Sequence, residues 1–277
     1  MSDPFEEVAA TWRPAPAVAD GVVEESAAGR LAALLGVDPP VAGAPLPPLW
    51  REAQLRDAPA LADLGPDGHP LGGALLPPLA DRRRMFGGGT VEVVAPLRVG
   101  EHASRRSEVA DVRVRDGRSG RLLLVTEEHT WSVGGEERIR ERRDVVYRRA
   151  EDVGAGAAGP GGDRPEGWST TPDERLLFAY SALTYNLHRI HYDAPYARDV
   201  EHHPALVVHG PLLALWCAER ARTVLGRAPG ALAYRLTATA YVGDEVVVTD
   251  APDEDTGGLH LEAWSQGRCC ARMDVRG

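Results

Sequence analysis

The sequence predicts an α+β fold in two similar halves, each an antiparallel sheet around a central helix. Three observations support this prediction: a linker-like segment, an ordered internal repeat, and strand patterns that follow helix patterns in the second half. The linker-like segment, AEDVGAGAAGPGGDRPEGW at 150–168, is rich in Gly, Ala and Pro without a period, as flexible linkers are. Each remaining piece has an ordinary domain size. We therefore expect one domain at residues 1–150, a linker at 151–168 and a second domain at 169–277.

The internal repeat consists of three short matches that keep their order in both halves. Each half passes from a strand pattern through Val-Gly-acid to a Trp-Ser turn and then to a last strand pattern. The matched segments are EVVAPLRVGE (92–101) with RLTATAYVGD (235–244), TWSVGG (130–135) with AWSQG (263–267), and RDVVY (143–147) with MDVRG (273–277). A repeat of this length indicates two similar domains rather than a solenoid.

Strand patterns with β-branched and alternating residues occur in both halves. They lie at 90–97, 121–133, 138–150, 231–242, 245–250, 258–266 and 269–275. Two helix patterns precede the late strands. TPDERLLFAYSALTYN (171–186) opens with Thr-Pro and acids, which is a helix-start signature, and GPLLALWCAERARTVLG (210–226) has an apolar run that suits a helix buried by a sheet. A long buried helix wrapped by an antiparallel sheet is called a hotdog, so we expect a double hotdog.

The first half departs from this pattern where its central helix is expected. Residues 69–80 read HPLGGALLPPLA, and the adjacent Pro77 and Pro78 cannot lie inside a helix. This half also has no equivalent of NLHRIH (186–191). We therefore expect a degenerate first helix, a degenerate N-terminal hotdog and a catalytic second one.

Composition excludes several classes of function. A net charge of −10 argues against a general nucleic-acid binder, which needs a broad basic face. No run approaches the roughly 20 apolar residues that span a bilayer, and the acidic start MSDPFEEV lacks a secretion pattern. Cys217, Cys269 and Cys270 are the three cysteines, and two adjacent ones are poor disulfide partners. We expect a reduced, cytoplasmic protein that binds neither nucleic acid nor membranes.

The segment TYNLHRIHYD (184–193) places one Asn, two His and one Asp between apolar segments. It permits three interpretations: a metal site, an acid/base site or a solvated polar turn. His188 and His191 could share one face near Asp193 as metal ligands. However, transition-metal sites need three or four converging ligands, usually in recognisable spacings that are missing here. We therefore expect neither a metal nor another cofactor.

The acid/base interpretation combines three residues. A neutral His191 can accept a proton near pH 7, because an unperturbed imidazole has a pKa of about 6.5. The Asn186 amide can orient a water molecule, although it cannot take its proton. The N–H of Gly210, at a helix start, is a free donor with the positive end of the helix dipole behind it. Such a donor suits a thioester oxygen that becomes enolate-like, so these groups favour addition of water across a conjugated double bond, or its removal.

NLHRIH, with VHG at 208–210, resembles the motif of the MaoC-like, (R)-specific enoyl-CoA hydratases, D-x-N-P-[IL]-H with a later V-H-G. The longer YNLHRIHYD and LVVHGPL are more similar to the double-hotdog branch of that superfamily. This branch includes mesaconyl-C4-CoA and itaconyl-CoA hydratases and fungal mitochondrial 3-hydroxyacyl-thioester dehydratases. First-half segments also resemble it, so the resemblance covers most of residues 45–277: LGPDGHP, RRMFGGG, PLRVGE and GRSGRLLLVTEEHTW.

The resemblance implies an acid/base role for His191 and an oxyanion-donor role for Gly210. The catalytic Asp of the broader superfamily falls on Asn186, which cannot be a base. Either His191 then works alone while Asn186 holds the water, or another group such as Asp193 or His188 takes part. We assign substrate contacts to His188, Asp193 and His209.

A basic cluster in the first half is a second candidate for substrate contacts. DRRRMFGGG (81–89) precedes a strand pattern and offers Arg82, Arg83 and Arg84. Their guanidinium groups match carboxylate and phosphate geometry, so they suit a substrate carboxylate or the phosphates of a thioester carrier. A solvated basic turn is the alternative. Gly87–Gly89 either allow close approach of a ligand or form a turn.

The expected activity is that of a hydro-lyase. It adds water to a 2-enoyl thioester or dehydrates a 3-hydroxyacyl thioester, carried by CoA or an acyl carrier protein. The alternative is a catalytically silent hotdog that binds acyl thioesters or supports a partner subunit. Asn186 favours that alternative, whereas His191 and the intact VHGP segment favour the enzyme. A homodimer is optional, because one chain already supplies two hotdogs.

Overall fold

The computed structural model describes residues 3–80, 82–117, 120–149, 162 and 165–276. Its five α-helices over this range are α1 (Pro4–Thr11), α2 (Glu25–Leu35), α3 (Glu174–Thr184), α4 (Ala194–Asp199) and α5 (Gly210–Leu225). Its ten strands are β1 (Ala17–Val22), β2 (Arg82–Val93), β3 (His102–Gly117), β4 (Gly120–Val133), β5 (Glu136–Arg149), β6 (Trp168–Thr170), β7 (Ala231–Leu236), β8 (Val246–Asp253), β9 (Gly258–Ser265) and β10 (Arg268–Arg276). None of the helices described is long and apolar enough to cross a lipid bilayer.

All ten strands form one antiparallel sheet in the order β1-β3-β4-β5-β2-β7-β10-β9-β8-β6. Counted within its own half, each set of five strands has the same order, 1-3-4-5-2. The second strands of the two halves, β2 and β7, pair with each other from Gly88 with Arg235 to Glu92 with Ala231. Two hotdogs thus share one continuous sheet, and the predicted double hotdog is confirmed.

The predicted repeat segments occupy equivalent places in the two halves. Gly100 and Gly243, in the Val-Gly-acid segments, precede β3 and β8, and both have positive φ angles, +90° and +83°. The Trp-Ser segments lead into the β4–β5 and β9–β10 hairpins. Equal strand order and equal turns are what duplication of one unit predicts. The predicted domain boundaries stay a prediction, because most of the linker at 151–168 lies outside the described residues.

Helix α5 is the buried centre of the second hotdog. Its apolar residues face the core over most of its length, and it packs against β7, β8, β9 and β10. It begins at Gly210 and ends before Gly226, whose φ of +66° is the left-handed conformation in which helices commonly end. The prediction of this helix is confirmed at both ends. Burial of eight apolar side chains is its main stabilising contribution.

The first half is built differently at its centre. All residues from 69 to 80 are described and none is helical, in agreement with the adjacent prolines. A helix is nevertheless present between β1 and β2, in the shorter α2, which the sequence did not predict. Helix α2 packs against α3 and against a short 3-10 helix at Pro48–Ala53. From that turn the buried Trp50 donates to Glu219 of α5 at 2.8 Å, which joins the two halves.

Strand β2 corrects the interpretation of the DRRRMFGGG segment. Arg82–Arg84 and Gly87–Gly89 lie inside the strand rather than in a turn before it. The register shifts between Phe86 and Gly88 at a β-bulge, and Gly88 has a φ of +139°. A Cβ on Gly88 would lie 2.2 Å from the Tyr234 oxygen of β7. The glycines therefore allow the close approach of neighbouring strands at the seam between the halves.

Strand ends differ from the prediction where turns follow. Strand β7 ends at Leu236, six residues before the predicted end, and β2 begins at Arg82 rather than at 90. Strand β3, with its many charged residues, was not predicted at all. Alternation of apolar and polar residues identifies a half-buried strand well. A charged strand near a sheet edge, such as β3, lacks this signal.

Candidate active site

The NLHRIH loop follows α3 and owes its shape to local hydrogen bonds. Helix α3 ends at Tyr185, whose φ of +50° turns the chain out of the helix. The Asn186 Oδ1 atom then accepts the His188 N–H at 3.1 Å, and a single 3-10 turn at Arg189–His191 follows. The Asn186 Oδ1 atom thus stabilises the shape of the loop. In the motif that NLHRIH resembles, this position holds a catalytic Asp.

His191 is held in a defined tautomer. Its Nδ1 atom lies 2.8 Å from the Val207 carbonyl oxygen. A carbonyl only accepts, so Nδ1 carries the hydrogen and Nε2 keeps its lone pair. Burial lowers the pKa of His191 to about 4, although the bond to Val207 opposes this shift. At neutral pH the buried imidazole is therefore uncharged and able to accept a proton through Nε2.

The VHG segment lies directly against His191. The His209 ring stacks on the His191 ring with centroids 3.6 Å apart, and its Nε2 atom lies 2.9 Å from the Ser181 hydroxyl. Burial first, and then His191, hold the pKa of His209 well below its ordinary value. His209 is fully buried, so its predicted substrate contact stays a prediction. The two stacked imidazoles are both neutral, which avoids repulsion between like charges.

Gly210 follows His209 as the first residue of α5. Its N–H has no acceptor within the helix, because the first turn lacks i−4 carbonyls. The Leu212 and Leu213 N–H groups bond to the His209 carbonyl at 3.0 and 3.2 Å. A Cβ on Gly210 would lie 2.2 Å from Leu236 Cδ1, so a larger residue here would require the Leu236 side chain to move. The His191–His209 stack therefore places the proton-accepting imidazole next to the start of α5.

A loop from the first half completes this region, and the sequence did not assign it to the site. The Asp67 carbonyl accepts the Arg189 N–H at 2.9 Å, and the Pro66 carbonyl accepts from the Arg189 guanidinium at 2.9 Å. Gly68, with a φ of +88°, touches the Leu187 carbonyl so closely that a Cβ would lie 1.7 Å from its oxygen. The sequence signal that could have assigned this loop to the site is PDGHP, in which Asp and His flank a glycine turn.

This loop brings two further polar side chains, Asp67 and His69, to the site. His69 has its ring centroid 4.1 Å from that of His188, which is in turn 5.6 Å from that of His191. His69 Nδ1 lies 3.0 Å from Asp67 Oδ2. Burial first, and then the neighbouring His69, hold the pKa of His188 well below its ordinary value.

One group of side chains that can serve as metal ligands does lie close together. Ligand atoms of Asp67, His69 and His188 lie within 4.8 Å of one another. The sequence could not show this, because the three residues come from different halves. Both carboxylate oxygens of Asp67 already accept hydrogen bonds from His69, at the backbone N–H and at Nδ1, each 3.0 Å long. Asp67 and His69 therefore satisfy each other's hydrogen bonds without a metal ion. The absence of a metal stays a prediction.

Asp193 lies in the loop but is used by its own neighbours. One oxygen accepts the Tyr196 N–H at 3.1 Å and begins α4. The other accepts two bonds from the Arg189 guanidinium, at 3.0 and 2.7 Å. Asp193 therefore shapes the loop, and its contact with substrate stays a prediction.

Each of the three arginines on β2 has a partner within the protein. Arg82 donates to the Leu79 carbonyl, Arg83 lies 3.2 Å from Glu201, and Arg84 lies 3.9 Å from Glu127. Arg82 thereby holds the 70–79 segment, and Arg83 joins β2 to the second half. Their predicted contacts with anionic substrate groups stay a prediction.

Comparisons with known proteins agree with this geometry. The family model of hydroxyacyl-thioester dehydratase type 2 matches residues 55–242, more than half of the chain. Mesaconyl-C(4)-CoA hydratase of Chloroflexus aurantiacus is 40% identical over 66% of this chain and 66% of its own length. The mitochondrial hydroxyacyl-thioester dehydratase type 2 of Schizosaccharomyces pombe is 29% identical over 46% of this chain and 43% of its own length. The matches thus span about two thirds and less than half of these relatives.

Solved structures share the fold at low sequence identity. HtdX of Mycobacterium tuberculosis has a TM-score of 0.66 and 15% identity, over 95% of this chain and all of its own. A conserved hypothetical protein of the same organism, described as a double hotdog, has a TM-score of 0.58 and 13% identity, over 98% and 96% of the two chains. These likenesses confirm the double hotdog, and the matching model settles the relationship predicted from NLHRIH and VHG: the chain belongs to the hydroxyacyl-thioester dehydratase type 2 family.

Proposed function

We propose that this protein is a hydro-lyase that adds water to a 2-enoyl thioester or removes water from a 3-hydroxyacyl thioester. The observation that carries the proposal is the tautomer of His191, whose Nδ1–H is held by Val207 and whose Nε2 is left to exchange a proton with water. The names of the curated relatives, a hydratase and a dehydratase, support the same reaction type. Substrates linked to CoA or to an acyl carrier protein both fit this chemistry.

The mechanism assigns one step to each group. In hydration, His191 Nε2 takes a proton from water as the water oxygen bonds to the β carbon. The double-bond electrons move toward the thioester, and the Gly210 N–H stabilises the oxygen that becomes negative. Proton transfer to the α carbon then completes the addition. Dehydration follows the same steps in reverse.

The test is turnover of three substrates by the purified protein: crotonyl-CoA, mesaconyl-CoA and an enoyl-acyl-carrier-protein thioester. Hydration removes the conjugated bond, so its ultraviolet absorbance falls, and we expect this with at least one of them. Tight binding of a thioester without turnover would instead identify a silent binding protein and contradict the proposal. Gel filtration of the same sample would show whether a homodimer forms.

We further propose that the β2 arginines attract the anionic part of the substrate. The positive charge of Arg84 contributes to the low pKa of His188, after burial and the neighbouring histidines, so it acts on the site. We expect Arg84→Gln to raise KM with little change in kcat, because a lost ground-state contact weakens binding. Arg142→Gln is the control, since Arg142 is exposed on β5 and also has a carboxylate partner, Glu128 at 3.6 Å. A lower kcat with an unchanged KM in Arg84→Gln would rule out this role.

A further inference from the structure

Hydration requires two proton transfers, and the mechanism proposed above assigns only the first of them to a residue, His191. Water loses a proton as its oxygen bonds to the β carbon, and the α carbon must gain one. The resemblance places a catalytic carboxylate at position 186, but this chain has Asn186. An amide does not exchange protons near neutral pH, and its Oδ1 atom is bonded to the His188 N–H. Asn186 therefore does not transfer the second proton, which leaves this step to His191 itself or to another residue.

Asp67 and His69 form an acid/base pair beside the NLHRIH loop. A carboxylate only accepts hydrogen bonds, so the 3.0 Å contact puts the hydrogen on His69 Nδ1 and leaves Nε2 to exchange protons. The bond from the His69 backbone N–H to Asp67 Oδ1 holds the carboxylate in place. Burial alone would raise the pKa of Asp67, but the hydrogen bonds from His69 bring it below its usual value. The Asp67 carboxylate therefore lies where its negative charge balances the positive charge of the His69 ring whenever that ring takes up a proton.

The pair is fixed on the site by backbone contacts rather than by side chains alone. The Arg189 N–H bonds to the Asp67 carbonyl at 2.9 Å, and Gly68 lies against the Leu187 carbonyl. His69, His188 and His191 follow one another in a row of ring contacts, with centroid distances of 4.1 and 5.6 Å. The side chains of His69 and Asp67 are 18% and 25% exposed. His69 is thus partly accessible from solvent.

We propose that His69, oriented and charge-balanced by Asp67, is the second proton-transferring group, which donates to the α carbon during hydration. The inference rests on the hydro-lyase function proposed above. The first half then supplies a catalytic residue instead of being only a degenerate copy.

The proposed steps balance. His191 Nε2 removes one proton from water, the oxygen forms its bond to the β carbon, and the electrons of the double bond become an enolate at the Gly210 N–H. The His69 imidazolium gives its Nε2 proton to the α carbon, which returns the thioester carbonyl. His191 then releases its proton to solvent and His69 takes one up, so the net change is the addition of one water molecule. His188, between the two, is a positioning residue.

The charged and titratable groups near His69 come from four elements. They are Asp67 on its own loop, His188, His191 and Arg189 on the NLHRIH loop, Tyr196 on α4, and Arg82 on β2, whose guanidinium lies 3.3 Å from the Pro70 carbonyl. Of these, Asp67 is the anion in direct contact with the imidazole. Its removal is therefore the sharpest perturbation of the charge on His69.

The experiment compares His69→Gln and Asp67→Asn with wild type in the hydration of crotonyl-CoA, or of whichever thioester the wild type turns over, across pH. The donor must carry its proton, so the wild-type rate falls on the alkaline side. Without the Asp67 charge the imidazolium is less stable, and we expect this alkaline limb to move to lower pH in Asp67→Asn.

His69→Gln should lose about 10²–10⁴-fold in kcat, the usual effect of one acid/base group. An NMR titration of the His69 ring should show the same shift in Asp67→Asn without any turnover.

The matched control is Asp274→Asn. Asp274 of β10 pairs with Nδ1 of His260 of β9 at 2.5 Å, and both side chains are exposed, so this pair reproduces the chemistry away from the site. It should leave the profile unchanged. If Asp67→Asn lowers the rate without moving the limb, or His69→Gln keeps wild-type kcat, the inference is wrong while the hydro-lyase function stands. A wild type that turns over none of the thioesters would reject both. A stoichiometric metal that is lost in His69→Gln would also overturn the proton-donor role.

Discussion

Replacement of His191 by alanine is expected to lower the hydration rate by about 10²–10⁴-fold, the usual effect of one positioned acid/base group. The reason is the single free nitrogen that the Val207 carbonyl leaves on the ring. The pKa of about 4 keeps this nitrogen unprotonated at neutral pH, so nearly all of the protein has the ring in the form that accepts a proton. The measurement is kcat with a saturating enoyl thioester at a temperature well below unfolding.

Stability must be measured beside this rate. His191→Ala leaves the buried Val207 carbonyl without its partner, which costs about 1–3 kcal/mol. Thermal unfolding should therefore show a lower midpoint with a cooperative transition. A variant that is folded at the assay temperature and nearly as active as wild type would contradict the assigned role.

Two variants of Asn186 refine the assignment. Asn186→Ala should cost less than His191→Ala, because the amide shapes the loop and orients water but transfers no proton. Asn186→Asp restores the carboxylate of the broader superfamily. If Asn186→Asp is fully active while His191→Ala has almost no effect, the proton-transfer role belongs to another residue, and Asp193 is the next one to replace.

Gly68→Ala is expected to abolish most activity, because Gly68 of the first half lies directly against the Leu187 carbonyl of the second half. A Cβ at this position would lie 1.7 Å from the Leu187 oxygen and 2.7 Å from its carbonyl carbon, so the two loops must separate. Separation displaces the backbone that carries His188. We expect a loss of at least about tenfold in kcat, because misplacement by about 1 Å costs on the order of 10²-fold.

Gly100→Ala separates the clash from the backbone strain. Gly100 has a φ of +90°, close to the +88° of Gly68, but nothing lies within 4 Å of its Cβ position. Both variants pay the strain of an alanine at positive φ, about 1–3 kcal/mol, and only Gly68→Ala adds the clash. Unfolding and turnover of the two proteins would be compared. Equal losses of activity in both would show that the contact with Leu187 has no special importance for the site.

The second half was predictable in considerable detail from local signals. Helix α5 has Gly-Pro at its start, an apolar run and Gly226 at its end, and all of these act within a few residues. The loop from Asn186 to His191 was found from the density and spacing of its polar side chains. Strand alternation located β8, β9 and β10 to within a few residues, and it did the same for β4 and β5 of the first half.

The first half was harder to predict, for a physical reason. Helix α2 is only 11 residues long and its N-cap residue, Glu24, makes no side-chain capping bond, and β3 is so charged that its alternation is obscured. The arginines of β2 looked like a basic turn, because the glycines beside them usually mark turns. In the folded protein those glycines lie inside a strand, where the neighbouring strands come too close for side chains.

The sequence by itself determined the duplication, helix α5 and the loop and helix start that carry His191 and Gly210, because caps, turns and periodicity depend on residues near one another in the chain. Only the tertiary structure decided that Asp67 and His69 lie beside His188 and that Asp193 is held by Arg189. The pairing of β2 with β7 brings the two halves into one sheet, and the loops that meet across it are far apart in sequence. No local pattern encodes which side chains face each other there, because their distance is set by the packing of whole sheets.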